Sequence, residues 1–298
     1  MKKNRTLIKR SLGERIFELF NILLMVLLCM IMLYPILYVL FASFSNAAEL
    51  IKHSGLLLKP VGFTTQAYKF VAKNPMILRG YANTLIVLVC GVSLNLVLTS
   101  LGAYFLSRKN VKLKRPITLM IIFTMYFSGG MIPIYFTVKD LGLLDSYLAM
   151  ILPVVINTYN MIIMRTSFES IPTSLEEAAR IDGAGHMTIL CKIVLPLSKA
   201  VIAVIVMYYA VSHWNSWFNA MLFINDRKKF PLQLVLREIL IQNDTSNMMQ
   251  MVGIGEQSMI GETIKYAVIV VSTVPILCIY PFVQKYFVQG VMIGAVKG

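Results

Sequence analysis

The side chains that could do chemistry together stand in one short stretch, Glu177-Ala178-Ala179-Arg180-Ile181-Asp182-Gly183, closed by Ile193-Val194-Leu195-Pro196. Its chemistry is recognition. Ala178, Ala179, Gly183 and Ala184 leave a low surface that another protein can approach closely, and Glu177 and Asp182 place anionic contacts beside it. No residue in the chain is assigned a catalytic or metal-binding role. Cys29, Cys90, Cys191 and Cys278 have no CxxC or Cys/His neighbour and read as small buried hydrophobes.

The stretch must be held by helices. Pro172 and Thr173-Ser174 open one, and Thr173 with Glu176 or Ser174 with Glu177 fits a capping box. Gly183 ends it. A second helix, about 185–195, is expected to stop at Pro196. The result is a short helix-turn-helix, a docking element; an ordinary amphipathic re-entry loop is the plainer alternative.

Composition says where this element hangs. Of 298 residues, 57% are hydrophobic and 14% charged, against about 25% charged in soluble domains. Mean hydropathy is +0.72. This is a membrane protein, and the net charge of +14 lies mostly in short loops, which explains it by topology and excludes a nucleic-acid-binding face. Apolar runs at about 19–48, 80–107, 116–138, 146–164, 200–225 and 266–284 give six spans, each able to supply the roughly 20 residues a crossing needs. The basic residues before the first run suggest a signal peptide, but the run exceeds a 7–15-residue signal core and reads as an uncleaved span. Pro35, Pro133, Pro153 and Pro275 fall within spans, where buried bundles tolerate kinks.

Lys and Arg set the orientation. The short loop 108–115 carries five, Arg108, Lys109, Lys112, Lys114 and Arg115, and residues 1–15 carry six. Both therefore lie in the cytoplasm, as do both termini and the docking element. The expected organisation is a cytoplasmic N-terminus (1–15) and a transmembrane domain (16–298), with a cytoplasmic loop at 165–199 and outer loops at about 45–79 and 226–264. The chain contains no GxxxxGK[ST], so it has no phosphate-cradling loop and its energy must come from another subunit.

The spacing Glu177-Ala178-Ala179, Gly183, Ile193, Leu195-Pro196 resembles the coupling motif of ATP-binding-cassette importer permeases without departure. Phe127-Ser128-Gly129-Gly130-Met131-Ile132-Pro133, Trp214-Asn215-Ser216-Trp217-Phe218-Asn219-Ala220 and Pro231-Leu232-Gln233-Leu234-Val235-Leu236-Arg237 look like the carbohydrate branch, closest to polysaccharide or aldouronate permeases. The resemblance implies an all-α, six-helix permease of the type I importer fold in a bacterial cell membrane. It also implies a second six-span permease, two ATP-binding subunits carrying the ATP and Mg, an extracellular solute-binding (lipo)protein and a sugar cargo. This chain would be no enzyme and bind no cofactor. The tail Val296-Lys297-Gly298 resembles a maltose-type tail that reaches between the ATPases.

Sugars are held by aromatic faces with amides and hydroxyls. Candidates along a translocation path are Tyr126, Asn157, Asn160, Trp214, Asn215, Trp217 and Asn219, each equally readable as an interhelical hydrogen-bonding or interfacial residue. In the maltose-type relative the partner permease holds most sugar contacts. By the same resemblance, Asn243, Asp244, Thr245, Ser246 and Asn247 lie in a loop that would scoop sugar from the binding protein. Two alternatives stand beside this reading: a peptide or amino-acid permease of the same superfamily, or a standalone secondary transporter. The latter should show repeats and mid-membrane charges, and His213 is the lone candidate apart from Tyr and Cys.

Overall fold

A computed structural model of the protein describes residues 11–109, 111–241 and 254–295. Asn243–Asn247 and Val296–Gly298 lie outside the described residues. Every regular element among the described residues is helical. In chain order they are α1 (Leu12–Ser43), α2 (Ala47–Lys52), α3 (Gln66–Lys73), α4 (Pro75–Ser107), α5 (Lys114–Tyr126), α6 (Met131–Asp140) and α7 (Tyr147–Ile151, extended by a 3-10 turn at Leu152–Val154). There follow α8 (Thr158–Glu169), α9 (Thr173–Ile181), α10 (His186–Leu197), α11 (Lys199–Trp214), α12 (Trp217–Phe223), α13 (Leu232–Ile241) and α14 (Ile254–Ala295).

Among the described residues three helices are long and apolar enough to cross a bilayer unaided: α1, α4 and, within α14, Gly261–Ile279. The other three apolar runs are broken. The run at 116–138 folds as α5 and α6, set at 111° to each other across Phe127–Gly130. That at 146–164 bends by 55° between Val154 and Thr158. The run at 200–225 is not one helix: α11 ends at Trp214, α12 follows, and α10 meets α11 at 87°. The chain forms two compact units, Met1–Val71 with Met249–Val270, and Ala72–Met248 with Val271–Gly298.

In the first unit the segment after α1 is pinned rather than loose. Ser11 and Glu14 close a reciprocal capping box at the start of α1, which places the helix start inside the expected N-terminal segment. At its other end Val61 N–H donates to Ser45 Oγ at 3.0 Å and Thr64 N–H to the Phe44 carbonyl at 2.8 Å. Phe44 stacks on Phe63, and the Ser43 and Tyr68 hydroxyls pair at 2.7 Å. Burial raises the Tyr68 phenol above its ordinary pKa, with the Ser43 bond opposing.

In the second unit α4 is the central post, packed by α8, α11 and α13. Ala103, Leu106, Met164, Phe168, Ile189, Val194 and Ile205 make its main apolar core. Leu232, Leu234, Leu236 and Ile239, expected in a loop, are instead the buried stripe of the amphipathic helix α13. Beside the smaller cluster of Val138, Ala149 and Phe223, Asp145 Oδ1 accepts from the N–H groups of Asn225 and Asp226, and Oδ2 meets Lys229 Nζ at 2.9 Å. The Asp226 N–H bond, then the Lys229 ammonium, hold the Asp145 carboxyl below its ordinary pKa.

The four cysteines are exposed, which corrects the expectation that they are buried. The thiols of Cys29, Cys90 and Cys278 are apolar enough to face outward on membrane helices, where burial rules from soluble cores do not transfer, and Cys191 is exposed on α10.

Candidate functional site

Helix α9 does not open with a capping box. Pro172 holds the N-cap position and no side chain caps the helix. Glu176 turns instead to Arg108, just beyond α4, in an ion pair whose side chains are 11% and 12% exposed. The Arg108 guanidinium lies 4.5 Å from the Tyr104 ring centre and donates from Nε and Nη2 to Ser107 Oγ. Burial pulls its pKa below the ordinary value, with Tyr104 opposing; arginine nevertheless stays charged. A second tie runs from Lys114 and Arg165 to Glu169 Oε1, at 2.9 and 3.1 Å. Two charged anchors thus fix α9 and the end of α8 to the basic loop.

The end of α9 is built as the spacing predicts. Gly183 has φ +82°, a left-handed conformation that side chains resist. Ala184 N–H donates to the Ala179 carbonyl at 2.8 Å and Gly183 N–H to the Arg180 carbonyl at 3.0 Å. These two bonds are a Schellman ending. Glu177, Ala178, Asp182 and Gly183 are exposed, while Ala179 and Ala184 are half-buried against the core. Ile181 was not singled out by the sequence pattern, yet it is 87% exposed at the corner. Met187 and Leu175 stand open nearby.

Helix α10 runs past the expected stop. Pro196 is exposed and sits inside its last turn, and the chain breaks at Ser198. The turn before it, Leu190–Val194, is widened to a π-helix. A π turn shifts the bonding register and so helps a helix accommodate a proline with no N–H. Ile189, Leu190 and Val194 are buried in the same core as Met161, Met164 and Phe168 of α8. A force on the exposed α9–α10 corner therefore reaches α4, α8 and α11 through packed side chains. A cleft of about 760 Å³ opens beside it, lined by Tyr104, Lys109, Glu177, Arg180 and His186 among others.

The path candidates separate. Asn157 and Asn160 line one cavity of about 300 Å³ with Tyr208, Tyr209 and His213. Tyr126 stands exposed at the α5–α6 break. Trp214 is buried against Tyr81, and Asn215 donates back to the Val211 carbonyl. The Trp217 ring carries the Arg237 guanidinium at 5.2 Å, and Asn219 is half-buried on the same helix. None of these five lines the cavity.

His213 is wholly enclosed and structural. The fully buried Asn95 Nδ2 donates to the Val154 and Val155 carbonyls at 3.0 and 2.9 Å, so its Oδ1 must accept from His213 Nε2, at 2.9 Å. The Tyr209 hydroxyl pairs with Thr99 and accepts from Asn157 N–H. These residues satisfy backbone groups freed where the fourth run bends between Val154 and Thr158, as a broken span in a membrane requires. Gly91 makes room: a Cβ there would lie 2.5 Å from His213 Nε2. Among the described residues no cluster of His, Cys, Asp or Glu could hold a metal.

Residues 7–293 match the family described as "Binding-protein-dependent transport system inner membrane component". The chain is 42% identical over 292 residues to the polygalacturonan/rhamnogalacturonan transport system permease protein YtcP of Bacillus subtilis (strain 168), covering 96% of this chain and 99% of the relative. It is 44% identical over 288 residues to protein LplC of the same organism, covering 95% and 96%. A crystal structure of a bacterial ABC transporter that imports the acidic polysaccharide alginate superposes with a TM-score of 0.86 at 36% identity, covering 93% of this chain and 99% of that one. The chain is a multi-pass membrane protein and belongs to the family of inner-membrane components of binding-protein-dependent transport systems.

Proposed function

We propose that this chain is one permease subunit of an ATP-driven importer of oligosaccharides, and that α9–α10 is the joint to its ATPase. The observation that carries the joint is the Schellman corner at Gly183: small residues and Ile181 are presented outward while α10 is rooted in the transmembrane core. The sugar cargo is supported by relatives named for polygalacturonan and alginate transport that match nearly the whole chain.

The membrane arrangement goes with this reading. Three unbroken helices, the two bent pairs α5–α6 and α7–α8, and α11 make six spans, with both termini cytoplasmic. Arg108 pairs with Glu176 and Lys114 with Glu169, so the most basic short loop and the docking element share one side of the membrane, the side positive charge favours. A second permease, two ATP-binding subunits and a solute-binding protein complete the assembly. ATPase closure would swing α9–α10 and with it the helices of the core, a rigid-body switch. The tail Val296–Gly298 and the loop Asn243–Asn247 are assigned, by resemblance, to the ATPases and the binding protein.

Gly183→Asp and Glu177→Lys should each abolish oligosaccharide uptake in proteoliposomes of the complete complex while membrane insertion survives. Normal uptake by both would overturn the joint.

A further inference from the structure

The loop after α1 turns back along that helix instead of leaving it. Asn46 N–H donates to the Val61 carbonyl at 2.8 Å and Val61 N–H to Ser45 Oγ, so the loop departs and returns at one level, beside the end of α1. Between these points Leu57 N–H donates to the Tyr34 hydroxyl at 3.2 Å. Tyr34 lies nine residues before Ser43, about 13 Å down the helix axis, and a helical side chain leans further toward the N-terminus. Leu57 precedes Val61 by four residues, and extended chain covers about 13 Å in that number. The loop therefore descends the side of α1 and climbs back. Gly55, in the left-handed region at φ +111°, makes the bend.

The lowest part of this excursion lies at membrane depth. The charged first turns of α1 end at Glu18, and roughly 20 residues of hydrocarbon core counted from Leu19 reach to about Tyr38. Tyr34 is one turn, about 6 Å, inside that limit. Leu57 is 1% exposed, while Leu56 and Leu58 on either side are 69% and 70% exposed. Leu33 and Leu37, which flank Tyr34 on α1, are exposed as well, so the loop continues the outward apolar surface of a membrane-crossing helix. Lys52 and Lys59 stand exposed at the two ends of the excursion. Apolar side chains at depth with cations above them fit acyl chains below lipid phosphates. We propose that residues 52–59 form a wedge in the leaflet at the Ser43 end of α1, the outer one when both termini are cytoplasmic. Leu56 and Leu58 enter the acyl chains, and Lys52 and Lys59 meet the phosphates. The wedge requires α1 to cross the bilayer and is independent of the cargo.

The test uses the complete complex with its binding protein in nanodiscs of phosphatidylcholine and phosphatidylglycerol. The photocrosslinker p-benzoylphenylalanine replaces Leu58 or, as a control, Lys69, exposed on α3 next to Tyr68, which pairs with Ser43 at the end of α1. Both side chains are exposed, so neither replacement removes a buried contact. Adducts are read by mass spectrometry. The expected result is a phospholipid adduct on an acyl chain at position 58 and its loss at position 69. An adduct to the partner permease or the binding protein in place of lipid would show a protein-covered surface and overturn the wedge. So would labelling confined to headgroups, no adduct at position 58, or equal acyl labelling at both positions.

Discussion

Arg108 and Glu176 form an ion pair, nearly closed to solvent, that joins the end of α4 to the first helix of the docking element across 68 residues of sequence. The pair ties the first turns of α9 to the end of α4, and the guanidinium lies over the Tyr104 ring. A helix meant to transmit force needs such an anchor, because no side chain caps the N-terminus of α9.

Removing one partner strands the other in a poorly solvated place, which is costlier than never having had the pair. Glu176→Gln should therefore loosen α9 without unfolding the bundle. We expect transport per ATP to fall several-fold while ATPase turnover persists, measured as uptake and phosphate release on the same proteoliposomes. A double-mutant cycle with Arg108→Ala should return a coupling energy on the order of 1–3 kcal/mol in thermal unfolding.

Gly183 separates strain from sterics. Nothing lies within 4 Å of a Cβ built there, so Gly183→Ala costs only the left-handed backbone, on the order of 1–3 kcal/mol. Gly183→Asn, which tolerates that conformation, should cost less stability yet obstruct docking more. Melting temperature and ATPase co-purification should thus rank the two variants in opposite orders.

Asn95 supports three groups at once, two carbonyls and His213. Asn95→Leu leaves all three without that bond in a membrane interior, at about 1–3 kcal/mol each before relaxation. The melting temperature in detergent should fall markedly, and further than for His213→Gln, which leaves the two carbonyl bonds to Asn95 in place.

Asp145 gives a pH signature. Its folded pKa is depressed, so the stabilisation is present above the unfolded value, near 3.9, and is lost as pH falls through the lower folded value. The stability gap between wild type and Asp145→Asn should be flat from pH 7 to about 5 and shrink below pH 4. A gap that shrank between pH 6 and 7 would place the stabilisation elsewhere.

The features legible in the sequence are those set by local chemistry. Gly183 ends α9 because its left-handed φ is a property of one residue and its neighbours, and the Ala-rich, capped-by-glycine spacing announced it. The apolar runs were legible as well, since bilayer thickness fixes their length. Glu176 was not: three residues after Thr173 it fits a capping box, but a buried guanidinium from a distant loop outcompetes a surface cap. Pro196 looked like a stop because proline lacks an N–H, and the π turn at Leu190–Val194 carries the helix past it. The break at Phe127–Gly130 is too short to end an apolar run and Ser198 lies outside the run at 200–225, so the apolar runs did not reveal either bend. Asn157 and Asn160 share a cavity because span four bends between Val154 and Thr158, a tertiary matter that Asn95 and Tyr209 stabilise from other helices.

The central claim is that an ATPase grips the α9–α10 corner, and Ile181, the most exposed apolar side chain there, tests it most directly. The measurement is co-purification of the ATP-binding subunits with the Ile181→Glu permease from membranes, scored against the amount of permease inserted. The prediction is normal insertion with loss of the ATPase subunits and of ATP-driven uptake. Full retention of both in the Ile181→Glu complex would contradict it.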